Sequence, residues 1–165
     1  MIVVRCTAKL LTRLGVDARN DVDTSTGLLG DWYATTLHVR HLYVLAMARA
    51  TLLPIVVTGR DLRSFPERMT STLAEVLAAY ALPAETIARE CAAMTPVRYA
   101  RTDDRSTVGV LVEFGRLLEA ELLARPTASP TALSLWLADT PIVARDAWPG
   151  QDTRRAFGAV DRSTR

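Results

Sequence analysis

The chain has 165 residues, 49% of them hydrophobic, and a formal charge of only +2. That length is enough for one domain with a real hydrophobic core, and that apolar share excludes a disordered chain. So small a charge makes no strong electrostatic case for nucleic acid or an anionic membrane.

Ile2 to Arg5 reads as a short strand, and Lys9 to Leu14 as a helical turn or two stopped by Gly15. Residues 16–30 are polar and read as a loop. Its aspartates, Asp17, Asp21 and Asp23, do not have the spacing of a calcium loop, so solvated side chains are the expectation.

The stretch from Asp31 to Thr58 holds the densest β-forming residues. Tyr33, Thr35, Leu37 and Val39 alternate with Ala34, Thr36, His38 and Arg40, the period of a strand with one wet face. Leu42 to Met47 is nearly continuous apolar sequence and fits a strand buried on both faces. Leu52 to Val57 is a third run, in which Pro54 fits only an edge, a strand start or a bulge. The three are expected to form an antiparallel meander, with turns near Val39 to His41 and Ala48 to Thr51.

Ser64, Phe65, Pro66 and Glu67 fit a capping box. Phe65, Met69, Leu73, Val76, Leu77 and Tyr80 then fall on one helical face. Pro83 ends that helix and can open another, Ala84 to Met94, on which Ile87 and Cys91 face the core. Val97 to Arg101 alternates as a further strand. Ser106 or Thr107 caps a long helix, Val108 to Ala124, with Leu111, Phe114, Leu118 and Leu122 as its stripe. Gly109 and Gly115 weaken it, and an internal glycine often marks close approach of another backbone. Ala132 to Leu137 reads as a short helix. The expected class is α+β: a small, mostly antiparallel sheet of about four strands, packed by three or more helices. Residues 1–148 form one domain in this reading, and 149–165 form a polar, loosely ordered tail.

Arg101, Thr102, Asp103, Asp104, Arg105, Ser106 and Thr107 crowd charge and hydroxyls at the start of the long helix. Free N–H groups there favour anions, and arginine grips phosphate or carboxylate bidentately. Arg101, Arg105, Ser106 and Lys9 are therefore candidate anion-binding residues. Asp103, Asp104 and Glu113 are the candidate acids or bases, should the protein be an enzyme. The bland alternative is an ordinary helix cap flanked by solvated ion pairs. Arg5, Lys9, Arg13, Arg101 and Arg105 would form one basic patch if the first strand and the Val97 strand adjoin. No metal site is expected: His38 and His41 are three apart and would point to opposite faces of a hairpin. Nor does any motif imply a cofactor. Cys6 and Cys91 are too few for a disulfide framework.

These residues resemble a bacterial family of uncharacterised domains. Its members open on a Cys-Thr-Lys-Lys-Leu-Leu-like segment, here Cys6, Thr7, Ala8, Lys9, Leu10 and Leu11. They continue with Leu-Gly-x-Trp-x-Ala, here Leu29, Gly30, Asp31, Trp32, Tyr33 and Ala34, and with an apolar strand like Thr51 to Val57. They close on Lys-Thr-x-x-Arg-Ser-x-x-Gly, matched by Arg101, Thr102, Arg105, Ser106 and Gly109, followed by a Met-Asn-Asp-like turn. Ala8 stands where the family has a second lysine, and Val112-Glu113 stands for Asn-Asp. The resemblance implies a domain over roughly residues 1 to 140 and a set of site residues, but no reaction.

Three functions compete. The first is a binding or regulatory domain contacting nucleic acid or a partner protein through an Arg-rich anion site. The second is an enzyme acting on a phosphate-containing or RNA substrate. The third is a structural homo-oligomer in which Trp136 and Trp148 anchor an interface. The enzyme reading lacks a P-loop, GxSxG or HExxH motif. No apolar run reaches the roughly 18 residues of a membrane span, and the start lacks a signal-peptide pattern, so a cytoplasmic, membrane-free protein is expected.

Overall fold

The computed structural model describes residues 1–20 and 22–158. The sequence expectations on Asp21 and on residues 159–165 of the tail lie outside the described residues. In chain order the elements are β1 (Ile2–Cys6), α1 (Ala8–Leu14), β2 (Trp32–Val39), β3 (His41–Ala48) and β4 (Pro54–Thr58). A 3-10 turn (Leu62–Ser64) leads to α2 (Phe65–Ala79), α3 (Ala84–Ala93), β5 (Val97–Arg101), α4 (Arg105–Ala124) and α5 (Pro130–Ala138). A second 3-10 turn (Val143–Arg145) precedes α6 (Pro149–Ala156).

The strands form one five-stranded sheet in the order β4-β3-β2-β1-β5. The meander lies where the alternation placed it: β2 pairs antiparallel with β3 from Trp32↔Ala48 to Val39↔His41, and β3 with β4 from Tyr43↔Thr58 to Met47↔Pro54. The sheet as a whole is mixed and has five strands, which corrects the mostly antiparallel sheet of about four. β1 runs parallel to both neighbours, with Cys6 opposite Ala34 on one side and Arg101 on the other. The cause is the helical connection. A strand reached through a helix is brought back to the end it left, so α1 between β1 and β2 favours parallel pairing. Four strands, β1, β2, β4 and β5, consequently point the same way, and only β3 opposes them.

Both faces of the sheet are covered. On one, Leu10 of α1 and Phe65, Met69, Leu73, Val76 and Leu77 of α2 bury Val4, Trp32, Val44 and Ile55. On the other, Leu111, Phe114 and Leu118 of α4 with Leu133 and Leu137 of α5 bury Tyr33, Leu37, Leu45 and Val56. β3 therefore has no wet face from Tyr43 to Ala48. β4 is an edge strand, and Pro54 at its start forfeits no ladder bond. Ser134 of α5 covers that edge, its Oγ accepting the Val56 N–H at 2.8 Å.

Helix boundaries differ most from expectation at α4 and after residue 148. α4 starts earlier, because Asp104 and not Ser106 or Thr107 is its N-cap. The stretch from residue 149 opens with α6, whose Thr153 is buried and donates to the Thr51 hydroxyl at 2.9 Å. Trp136 packs against the second cluster, whereas Trp148 is largely exposed. Among the described residues no helix is long and apolar enough to cross a membrane.

Candidate functional site

β1 and β5 lie side by side and parallel, yet the chain leaves them in opposite directions. After Cys6 it enters α1, whose Leu10, Leu11 and Leu14 belong to the first core cluster. After Arg101 it turns into α4, whose apolar stripe belongs to the second. Adjacent parallel strands whose connections part to opposite faces leave a crevice outside their carboxyl ends, the usual ligand position in sheets of this kind.

The expected anion-binding residues lie on the elements that flank this switch point. Arg101 is the last residue of β5 and exposed. Val97 and Tyr99 pack on the first cluster, so alternation puts Arg101 on that face. Lys9 is exposed on α1, which covers the same face. Arg105 and Ser106 are exposed in the first turn of α4, on the other face. Ser106 Oγ accepts a 2.7 Å hydrogen bond from Nη2 of Arg145, a residue 39 positions away that no local pattern links to it.

The candidate acids are engaged differently. Asp103 Oδ2 pairs with Arg5 Nη1 at 3.0 Å, and Asp103 Oδ1 accepts the Tyr33 hydroxyl. Arg5 Nε reaches Asp31 Oδ2 at 2.9 Å, while Asp31 Oδ1 accepts the amide and hydroxyl of Ser25 at 3.2 and 2.8 Å. Burial first, then the hydrogen bond and charge of Asp103, push the Tyr33 hydroxyl well above its ordinary titration range. The first strand and β5 do adjoin, as the basic-patch idea required. Arg5, however, is spent on two carboxylates and adds no free positive charge.

Asp104 occupies the start of α4. Its carboxylate accepts the amides of Ser106 and Thr107 at 2.9 and 3.3 Å and the Thr107 hydroxyl at 2.7 Å. The Thr107 hydroxyl and amide, aided by the Ser106 amide, hold its carboxyl below the usual range. These helix-end donors are thus committed within the chain, so an anion here would rest on side-chain cations. Glu113 is exposed, eight residues into the helix from Arg105, or about 12 Å along its axis. It does not join the Asp103 cluster.

The sequence model of a family described as Domain of unknown function (DUF6933) matches residues 3–151. The chain belongs to this family. No curated protein and no solved structure matches it. The DUF6933 match takes in the switch point with Lys9, Arg101, Arg105 and Ser106, and ends within α6. Cys6 of this DUF6933 domain is buried, and burial pushes its thiol up to about 12, which suits a packing residue and not a nucleophile. Burial, seconded by Glu90, also raises the Cys91 thiol.

Proposed function

We propose that this DUF6933 domain is a binding or regulatory module that holds a phosphate-bearing ligand at the carboxyl ends of β1 and β5. The reading is carried by the parting of α1 and α4 to opposite faces beside those two strands. It is supported by the state of the cations around that point. Among the described residues, Lys9, Arg101 and Arg105 take part in no ion pair. Arginine forks suit phosphate oxygens, and an exposed cation keeps its full charge for a ligand. The enzyme reading has less support, since Asp103 is ion-paired with Arg5, Asp104 caps a helix and Glu113 stands apart from both.

Binding of inorganic phosphate and of a short single-stranded RNA, each followed at low and high salt, tests the reading. Replacing Arg101 and Arg105 together by alanine is expected to weaken binding about tenfold or more. Both are exposed, so the melting temperature should stay within about two degrees. A steep loss of RNA affinity with salt would identify a nucleic-acid backbone as the ligand. Undiminished binding by a stable double variant would overturn the assignment.

A further inference from the structure

We propose that a second anion site lies at the same end of the sheet, and that it takes a small molecule carrying a pyrophosphate-type, multiply charged phosphoryl group. The site is a groove of about 710 Å³ where the β2–β3 turn faces the connection from β4 into α2. That volume is within the usual range for small-molecule sites. His38, Arg40 and His41 line it from the turn, and these are the only histidines in the sequence. Arg60 and Arg68 line it from the connection and from α2, and Thr58 lines it from the end of β4.

Among the described residues, none that lines the groove is acidic. Among the described residues, Arg40, Arg60 and Arg68 enter no ion pair. Asp61 is the acid nearest in sequence on that connection, and its carboxylate is turned to the Arg63 amide at 3.0 Å. Arg68 donates through Nη2 to the Asp61 carbonyl, and its Nε is buried without a partner. Three arginines around one groove, with no acid among its described lining residues, lower the energy of any multivalent anion that enters. Their planar forks match phosphoryl oxygens better than a point charge would.

Two backbone features hold this arrangement at the expense of easier alternatives. Arg40 alone forms the turn between the paired residues Val39 and His41, with φ at 58°, a left-handed conformation that glycine adopts more cheaply. A residue kept in such a conformation is reasonably referred to function. Gly59 donates to the Leu42 carbonyl at 2.6 Å, and a Cβ there would lie 2.5 Å from Leu42 Cγ. Only glycine lets the chain carrying Arg60 pass so close to the start of β3.

The groove is separate from the switch point and does not rest on that reading. β2 pairs with β1 only as far as Ala34 and runs five residues further to Val39, about 16 Å beyond it.

Isothermal titration of the full chain with sodium pyrophosphate, against sodium chloride of matched ionic strength, tests the proposal. Saturable binding is expected, weakened about tenfold or more in Arg60→Ala. Arg40→Gly is expected to weaken it as well while raising the melting temperature, because the turn relaxes as the cation is lost. The Arg101→Ala, Arg105→Ala double variant should bind pyrophosphate at this groove as the parent does. No saturable heat beyond the salt control would overturn the proposal. So would unchanged affinity in both Arg60→Ala and Arg40→Gly, or loss of all pyrophosphate binding in the Arg101→Ala, Arg105→Ala variant alone.

Discussion

Arg5 ties three separate parts of the chain together with one side chain. Its guanidinium bonds Asp31 at the entrance to β2 and Asp103 in the connection from β5 to α4, and it is itself mostly buried. Asp31 is buried too, so removing Arg5 strands a carboxylate away from water. Breaking such a pair from one side costs more than the pair's own net worth. Arg5→Ala is therefore expected to lower stability by about 3 kcal/mol in urea denaturation. A change under about 0.5 kcal/mol would mean that the network behaves as solvated surface charge. The sequence could not reveal this cluster. Asp31 lies 26 residues from Arg5, and Tyr33 lies 70 residues from the Asp103 it binds. No local pattern links them; only the parallel register of β1 between β2 and β5 does.

At the scale of elements, local chemistry was legible and long-range pairing was not. Alternation marked the meander, because each of its strands meets its neighbour through a short turn. β1 carried no sign of its parallel partners, because α1 has only seven residues and the long polar loop after it obscures a strand–helix–strand unit. The start of α4 shows a finer ambiguity. Asp104, Ser106 and Thr107 are all good caps, and the choice fell to the residue whose extended backbone (φ −126°, ψ 106°) aims its carboxylate at the following amides. Gly109, read as a mark of close approach, faces open space, and a Cβ added at Gly115 would lie 4.0 Å from Leu37 Cδ1, an ordinary van der Waals contact. The cap gives a pH-dependent prediction. The hydrogen bonds lower the folded-state pKa of Asp104 below its ordinary 3.8. Its ionised form then adds stability above that value, and the gain disappears as pH falls through the folded pKa. Asp104→Asn should melt lower than the parent at neutral pH, and the gap should close on acidification below about pH 3.8. A gap unchanged down to pH 2 would show that the charge plays no part.

Across the whole molecule, the direction of the strands decides where chemistry can gather. With β1, β2, β4 and β5 pointing one way, residues that follow them in sequence, from Lys9 to Arg60 to Arg105, are delivered toward one end of the sheet. The sequence offered the Arg101 to Thr107 cluster as a site because its polar residues are contiguous. The groove at Arg40, Arg60 and Arg68 was hidden because its cations come from a turn, a connection and a helix.

The same sheet separates two apolar clusters, which meet again at α5, whose Leu133 and Leu137 lie in one and whose Leu135 and Ala138 lie with the other. Leu45 belongs to one and Ile55 to the other, both fully buried, on strands that pair with each other. If the sheet couples the two layers, neither can melt alone, since losing either helix layer exposes a sheet face that the other cannot cover. Leu45→Ala and Ile55→Ala should then each cost about 2–5 kcal/mol and shift one common transition. Far-ultraviolet circular dichroism follows all the helices, and variants that keep only Trp32 or only Trp136 report by fluorescence on the first and second clusters respectively. Coincident curves in both variants are the expected result. A second transition in either one, seen by one probe before the other, would mean that a helical layer detaches while the sheet survives.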